Sequence, residues 1–231
     1  FKMTDRFTSL EEKIGISFKD RKTLEIVFVH KSYINETSDK SLGHNERLEF
    51  LGDAVLELVV TEFLYKNYPH DEGELTNWRS ALVKGAHLAT VAKELNLGEY
   101  LTLSHGEEKS GGREKNYILA NTFEALLGAI YLEHGYEVSH EFIDKFLLIY
   151  LEEILEKNLH VDAKSQFQEL AQAKEDTTPV YKLQEDHGPD HAKEFIMAAY
   201  IGERKIAEGR GSSKQKAEQR AAENALEELG W

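Results

Sequence analysis

Through the first two thirds of the chain, hydrophobic residues recur every three to four positions, which is the period of an amphipathic α-helix. Several glycines fall between the hydrophobic segments, where helix C-caps and turns are expected: Gly73, Gly98, Gly111, Gly112 and Gly135. The segments are SLEEKIG, KTLEIVFVHKSY, HNERLEFLGDAVLELVV, SALVKGAHLATVAKEL, ILANTFEALLGAIYLEHG and HEFIDKFLLIYLEEILE. The pattern predicts an all-α domain over residues 1–157, helical throughout residues 8–155.

Beyond a boundary near residues 156–161 the pattern changes. Ala163 to Lys174 reads as one helix, and VYKLQED, KEFIMAAYIG and RKIAEG read as three short strands. GPDHA joins the first two strands, and Gly202-Glu203 supplies a tight turn before the third. KQKAEQRAAENALEEL reads as a long helix with a preceding serine available as its N-cap. These features predict a small α+β domain of order α-β-β-β-α over residues 161–231.

Composition narrows the class of protein. The chain of 231 residues contains no cysteine, so no disulfide framework is expected and a reducing compartment is favoured. The first residues lack the apolar core and cleavage site of a signal peptide, and no run of eighteen apolar residues is present. We expect a soluble, cytoplasmic protein with no membrane partner.

The formal net charge of -14 argues against nucleic acid as a partner, because phosphate repels negative charge. The distribution of charge is uneven, however. RKIAEGRGSSKQKAEQR, residues 204–220, carries six Lys or Arg against two Glu. Such a run is more often a solvated face than a binding site, so it is weak evidence alone.

Acidic residues interrupt the two most hydrophobic helical segments. Glu46, Glu49 and Asp53 lie within roughly 60° of one another on the first helix, and Asn121 and Glu124 share a face of the second. An unpaired buried carboxylate costs several kcal/mol, so a compensating positive group is expected. Oxygen ligands from two helices suit Mg²⁺ or Mn²⁺ and phosphoryl chemistry.

A structural explanation of these acids remains open on spacing alone. The acidic stripe would then face solvent, or pair with Arg47 and Arg79. For two acidic pairs in the two most apolar helices, the metal-binding and structural explanations carry similar weight.

Longer motifs make the chain recognisable. NERLEFLGDAVLE resembles the signature helix of the ribonuclease III family nearly residue for residue. IGISFKDRKTLEIVFVHKSYINE, YPHDEGELTNWRSALV and GEEKSGGREKNYILANTFEALLGAIY resemble the family's other blocks, in the same order. The tail is similar to the family's double-stranded RNA-binding domain. The resemblance implies an all-α nuclease domain followed by a small α+β double-stranded RNA-binding domain.

This resemblance also implies an activity. The expected protein is a homodimeric endonuclease in RNA processing, in which each subunit hydrolyses one strand of double-stranded RNA with a divalent metal. Its products would carry 5′-phosphate and 3′-hydroxyl ends. The cofactor would be Mg²⁺, with Mn²⁺ as the alternative.

Carried over by motif, the metal ligands are Glu49, Asp53, Glu124 and, in the fourth place, Asn121. Asp53 and Glu124 also count as catalytic residues, together with Glu46 and Glu72. Glu46 and Glu72 would form an outer acidic ring that holds water or RNA near the metal.

Asn121 departs from the family pattern, which has Asp at this position. An amide oxygen can bind a hard cation, but it brings no charge and cannot act as a base. Engineering to trap uncut RNA and natural divergence towards binding are both open explanations. Because the other carboxylates are intact, engineering or a weakened enzyme is favoured.

Further residues near these motifs are weighed against structural roles. Phe50 matches the aromatic residue that fits into the partner's socket, and core packing is an equal alternative. Glu107 matches an acidic family position, but an exposed loop glutamate is expected. Glu57 matches no ligand position, and His30 and His44 are expected to be structural or capping residues rather than zinc ligands.

The tail offers three surfaces for duplex RNA, which proteins read through its shape, 2′-hydroxyls and phosphates. On its first helix Gln168 and Glu169 suit minor-groove contacts, and His191 in the GPDHAK loop could enter the next minor groove. At the start of the last helix, basic residues would face the intervening phosphates: Lys214, Lys216 and Arg220, assisted by Arg210.

Two other functions compete with a double-stranded RNA endonuclease. The first is a catalytically inactive double-stranded RNA-binding protein, for which Asn121 is the best indication. The second is a metal-dependent phosphohydrolase of small substrates. The C-terminal domain counts against the second, because such an enzyme has no need of a duplex-binding surface.

Overall fold

A computed structural model describes residues 6–38, 43–156, 163–189 and 193–231. The chain divides into two compact units, residues 1–160 and residues 161–231. Each unit has its own hydrophobic core. In the described part of the chain, no helix is long and apolar enough to cross a membrane.

The first unit is almost entirely helical. Short 3₁₀ turns lie at Leu97–Tyr100, Gly112–Glu114 and Leu148–Tyr150. The α-helices are α1 Thr8–Ile14, α2 Arg21–Val27, α3 Lys31–Glu36, α4 Glu46–Asn67, α5 Glu72–Leu82, α6 Gly85–Glu94, α7 His105–Lys109, α8 Asn116–Phe146 and α9 Leu151–Glu156.

Three segments that the periodicity predicted as single helices are broken. Between α2 and α3, Thr102 N–H donates to the Phe28 carbonyl (2.8 Å) and His30 N–H donates to the Thr102 carbonyl (3.1 Å). This pairing makes an isolated parallel bridge between Val29 and Thr102 and takes the backbone out of the helix. Between α5 and α6, Lys84 adopts an extended ψ of 129°. In HEFIDKFLLIYLEEILE, the 3₁₀ turn Leu148–Tyr150 separates α8 from α9. The expectation of uninterrupted helix was therefore wrong at all three places.

The five glycines expected between helical segments occupy different kinds of position. Gly73 lies inside α5, which corrects its predicted position in a turn. Gly135 lies within α8, where its φ of 79° and ψ of -168° kink the helix. The other three lie at or within the 3₁₀ turns, as expected of turn residues.

The core of the first unit forms around α8. This helix packs along α4 and α6, and its inward residues Phe123, Leu126 and Ile130 are fully buried. Val59 and Val60 of α4 are also fully buried. The two helices that carry the acidic motifs are therefore the central helices of the core.

The second unit has the predicted order of elements. Its elements are α10 Ala163–Glu175, β1 Val180–His187, β2 Glu194–Ile201, β3 Arg204–Gly211 and α11 Lys214–Leu229. The strands form one antiparallel sheet in the order β1-β2-β3, with Ala199 opposite Ala207. Ala221, Ala222 and Ala225 of α11 are fully buried, so the alanine face packs closely on the sheet. The predicted fold class, all-α followed by α-β-β-β-α, is confirmed.

Candidate metal centre and RNA-binding surface

The acidic motifs meet where α4 crosses α8 with their backbones in direct contact. A Cβ atom on Gly52 would overlap the Glu124 carbonyl oxygen and lie 2.6 Å from its carbon. A Cβ atom on Gly128 would overlap the Leu48 carbonyl oxygen and lie 3.2 Å from the Gly52 nitrogen. Only glycine fits at these two positions, so the pair sets how closely the helices approach.

This crossing brings the predicted metal ligands together. Glu49 and Asp53 lie on either side of Gly52 on α4, and Glu124 lies one turn before Gly128 on α8. Burial, followed by the charges of Asp53 and Glu49, raises the pKa of Glu124 to about 7. The three carboxylates are therefore close enough to disfavour one another's charge.

Asn121 takes part in the same cluster. Its side-chain amide donates a hydrogen bond to the Glu49 carboxylate. Burial and the neighbouring Glu46 raise the pKa of Glu49, and this hydrogen bond partly offsets the rise. The amide nitrogen is the donor, so the carbonyl oxygen of Asn121 remains the atom that could bind a cation.

The cluster has the oxygen donors of a hard-cation site, but its side chains are not arranged around a common point. Its donors are carboxylate and amide oxygens, and two of its carboxyl groups have raised pKa values that a divalent cation would lower. Among the described residues, no three Asp, Glu, His or Cys side chains stand in an arrangement that would hold a metal ion. The donor set fits Mg²⁺ or Mn²⁺.

Glu46 lies at the edge of this cluster and is paired. Lys31 Nζ lies 2.8 Å from Glu46 Oε1, and this hydrogen bond is the main cause of a lowered Glu46 pKa. His44 Nδ1 is 3.7 Å from the other oxygen. Lys31 was not predicted as a site residue. The only feature of the sequence that could have indicated it is its place in the HKS triplet, within a block that resembles the family.

Glu72 is not brought to this cluster within one protomer. It begins α5 and lines a separate pocket of about 420 Å³ with Thr61, Tyr65 and Arg79. Thr61 is already eight residues, or roughly 12 Å of helix, beyond Asp53. The predicted outer acidic ring is therefore divided between two places on the unit.

Two further predictions concern residues beside the cluster, Phe50 and Glu107. Phe50 is 80% exposed, which removes core packing as its explanation, and it lines a pocket of about 750 Å³ with Leu132. Glu107 was expected in an exposed loop, and this was wrong. It lies in α7, where its carboxylate is 2.5 Å from Lys115 Nζ and only 19% of its side chain is exposed.

His30 and Glu57 have structural partners. His30 is the N-cap of α3, where its side chain accepts a hydrogen bond from Ser32 N–H (3.3 Å), so the predicted capping role is confirmed. The Glu57 carboxylate forms an ion pair of 2.9 Å with Arg79 Nε. Arg79, one of the two arginines considered as partners for the acids, therefore pairs with a glutamate that is not a metal-ligand candidate.

The start of α11 forms the basic surface of the second unit. Ser213 Oγ accepts a hydrogen bond from Lys216 N–H (3.3 Å), which confirms serine as the N-cap. Lys214 follows the N-cap residue. The hydrogen bond from Lys193 is the main cause of a lowered pKa of Asp186, at the end of β1, and the charge of Lys214 contributes to it. Asp186 also forms an ion pair of 2.9 Å with Lys193, which closes the base of the predicted RNA-contacting loop. Asp186 and Lys193 therefore lie near the start of α11.

Gln168 of α10 belongs to the same surface. It lines a small polar cleft of about 260 Å³ together with Lys164, Gln215 and Gln219. Glu169 is exposed on α10 but does not line this cleft. His191 lies outside the described residues.

Arg210 and Arg220 are placed less favourably than Lys214 and Lys216 for contacting RNA at the start of α11. Cβ atoms on Gly209 and Gly211 would both meet α11, so the intervening Arg210 points to the opposite face of the sheet. The structure does not bring Arg210 together with the lysines of α11. Arg220 is exposed on α11, and its guanidinium forms an ion pair of 2.8 Å with Glu223.

Comparison with known proteins gives the class of each unit. Residues 20–151 match the Ribonuclease-III-like family, and residues 163–229 match the Double-stranded RNA binding motif. Ribonuclease 3 of Chloroflexus aurantiacus is 45% identical over 227 residues, covering 97% of this chain and 92% of that protein. Ribonuclease 3 of Borreliella burgdorferi is 44% identical over 219 residues, covering 94% and 89%.

A solved structure agrees with these relatives. The nuclease domain of ribonuclease III from Campylobacter jejuni is 42% identical, with a TM-score of 0.56, and the match covers 61% of this chain and 94% of that one. The chain belongs to the ribonuclease III family, as the motifs predicted. This assignment excludes the small-substrate phosphohydrolase considered above.

Proposed function

We propose that this chain is a divalent-metal-dependent endoribonuclease that cuts double-stranded RNA and leaves 5′-phosphate and 3′-hydroxyl ends. The observation that supports the proposal is the crossing of α4 and α8, where burial and the charges of Asp53 and Glu49 raise the pKa of Glu124. Family membership supplies the substrate class, and the oxygen donor set supports Mg²⁺, with Mn²⁺ as the alternative.

In this proposal Glu49, Asp53 and Glu124 hold the cation with the carbonyl oxygen of Asn121. A bound divalent cation would polarise the scissile phosphate, lower the pKa of a water and offset charge on the leaving 3′-oxygen. The chain's own residues keep these ligands rigid, because α4 and α8 are fixed at the core. Glu46 stands at the edge, where its carboxylate can accept a hydrogen bond from water or from a ribose hydroxyl.

We further propose that the enzyme acts as a homodimer through the surface around Phe50. The exposed aromatic ring and the apolar pocket beside it support a contact with a second copy. The Campylobacter jejuni structure describes flexibility in a region involved in dimer formation of that nuclease domain. Glu72 lies apart from the acidic cluster of its own protomer, so a role beside the metal requires the cluster of the partner.

The second unit would bind the duplex with Gln168, Lys214 and Lys216 as its described contacts. The start of α11 combines two lysines with the positive end of a helix, which favours phosphate. Glu169, His191 and Arg220 remain proposed contacts, and the placement of Arg210 makes it the weakest of the set.

The test is cleavage of a perfect RNA duplex by this chain and by Asn121→Asp, each with and without Mg²⁺. Mg²⁺-dependent cutting by this chain, with faster cutting by Asn121→Asp, is the expected result. Cutting by the aspartate variant alone would identify a disabled nuclease that holds RNA. If neither protein cuts but both bind, the chain is the inactive double-stranded RNA-binding protein instead. Equal cutting by both would remove Asn121 from the ligand set.

A further inference from the structure

Lys31 occupies an unusual place in the first unit. Within the described residues, the carboxylates of Glu46, Glu49, Asp53 and Glu124 form one ion pair with a lysine or arginine, and that partner is Lys31. Its Nζ lies 2.8 Å from Glu46 Oε1, and 62% of its side chain is exposed. The acidic cluster therefore has a single cation at its rim, and solvent reaches it.

The backbone beneath Lys31 is held firmly. His30 N–H donates to the Thr102 carbonyl (3.1 Å), and Asn45 N–H donates to the Val29 carbonyl (3.0 Å). Ser32 Oγ accepts a hydrogen bond from Ser104 N–H (3.0 Å). These bonds fix the start of α3 beside the start of α4, so the position of Lys31 relative to the cluster does not depend on its ion pair.

The surroundings of Lys31 extend towards α8. The charges of Glu46 and Glu49 and the phenol of Tyr117 all raise its pKa, with the hydrogen bond to Glu46 as the largest cause. Tyr117 is 56% exposed and lies one helical turn before Asn121 on the same face of α8. Lys31 is therefore paired with the start of α4 and lies within electrostatic range of Tyr117 on α8.

We propose that Lys31 is a substrate-positioning residue that binds a backbone phosphate of the RNA strand at the acidic centre. The proposal rests on the proposed function. An ammonium group is a compact phosphate ligand, and its four-carbon stem can move from Glu46 to a phosphate without backbone movement. The exchange releases Glu46 at the moment RNA arrives, so this carboxylate becomes free to hold water or a ribose hydroxyl.

The chain offers a matched control in Lys66. Lys66 Nζ forms an ion pair of 2.7 Å with Glu62 and is 64% exposed, so its environment is like that of Lys31. It lies near the other end of α4, twenty residues or roughly 30 Å from Glu46. Lys31→Gln and Lys66→Gln remove the same charge and the same kind of pair at two places.

The experiment measures duplex RNA binding with Ca²⁺ and cleavage with Mg²⁺, for the unchanged chain, Lys31→Gln, Lys31→Arg and Lys66→Gln. We expect Lys31→Gln to raise Kd and KM on the order of tenfold, as for one lost charge-assisted hydrogen bond. The slope of log Kd against log salt should fall by about 1. Lys31→Arg should restore both, and Lys66→Gln should change neither.

Two results would overturn the proposal. One is a Lys31→Gln variant that behaves like Lys66→Gln in both Kd and salt slope. The other is a fall in kcat with an unchanged salt slope, which would mean that Lys31 supports only the placement of Glu46. If neither this chain nor Asn121→Asp cuts RNA, the proposed nuclease function fails, yet the binding measurements still decide the role of Lys31.

Discussion

The two candidate functional regions of this chain both lie beside a close backbone contact made possible by glycine, and they carry opposite charges. In the first unit, Gly52 and Gly128 let two helices touch, and carboxylates flank the contact. In the second unit, Gly209 and Gly211 let β3 touch α11, and lysines lie at the end of that helix. Glu49 and Glu124 are half-buried, whereas Lys214 and Lys216 are exposed.

This difference follows from the ligand proposed for each region. A metal centre needs several ligands at fixed positions, so like charges are held together at a rigid crossing. A phosphate-binding surface needs separate contacts with a long polymer, so its cations stand apart in solvent. Both arrangements reduce stability, the first by repulsion between acids and the second by cations at the positive end of a helix.

The largest expected effect comes from separating α4 and α8. Gly52→Ala places a methyl group against the Glu124 carbonyl, and neither backbone can move without displacing the core. We expect the free energy of unfolding of the first unit to fall by at least about 3 kcal/mol. Calorimetry should show a lower Tm for that unit, and any folded fraction should lose cleavage.

Gly85→Ala is the control for this change. Gly85 begins α6, and its added Cβ would lie 3.9 Å from Ala120 Cβ, which is ordinary contact. Alanine in a helix is favoured over glycine by about 0.5–1 kcal/mol, so this variant should be unchanged or slightly more stable. If both variants have the unchanged chain's stability, the crossing is not as tight as described.

The matching change in the second unit is Gly209→Ala. Its Cβ would overlap the Ala221 nitrogen and lie 2.6 Å from the Arg220 carbonyl carbon, which pushes α11 off the sheet. We expect a loss of about 2–3 kcal/mol in that unit and a sharp fall in duplex affinity. The thermal transition of the first unit serves as the internal control. Full duplex affinity in this variant would show that α11 need not pack on β3.

How far the sequence predicted these regions depends on the kind of feature. Helix periodicity and the alternation of the strands identified the elements of both units, because local patterns determine them. The breaks at Val29 and Lys84 were missed, since a distant backbone pairing at Thr102 caused the first and no punctuating residue marked the second. Proline is absent from both breaks, and Gly85 follows the second without interrupting the apolar period.

The candidate site shows the same division. The spacing within α4 and within α8 correctly suggested two acidic faces, but their convergence depends on Gly52 meeting Gly128. No local rule links residues that far apart in the chain. Lys31 was missed for the same reason, because its partner Glu46 belongs to another helix. Arg210 could be assigned to the face of the sheet opposite α11 only from the contacts that Gly209 and Gly211 make with α11.

A smaller effect tests the repulsion between the acids. Asn121→Asp removes the hydrogen bond to Glu49 and adds one more carboxylate to the cluster. In EDTA, we expect a loss of about 1–2 kcal/mol in the stability of the first unit. Mg²⁺ should stabilise this variant more than the unchanged chain, since the added carboxylate binds the cation. The measurement is Tm with and without Mg²⁺.

Asn116→Asp is the matched control on the same helix. The side-chain oxygen of Asn116 accepts a hydrogen bond from Lys93 Nζ (2.7 Å), and the residue begins α8. A negative charge there faces a lysine and the positive end of the helix, so stability should be unchanged or slightly higher. Equal Mg²⁺ effects in the two variants would remove position 121 from the metal centre.

The smallest expected effect tests the other half of the comparison, the placement of cations against the helix dipole. Helix α11 has no acidic residue in its first turn and no basic residue in its last. Lys214→Glu and Glu228→Lys each bring one end into line with the dipole, so each should stabilise the second unit by about 0.3–1 kcal/mol. Only Lys214→Glu should weaken duplex binding, because it replaces a phosphate ligand with a repelling charge. Tm and Kd measured together separate the two consequences. If Lys214→Glu is more stable and binds as well as before, the basic residues of α11 are a solvated face, and the second unit binds duplex RNA elsewhere.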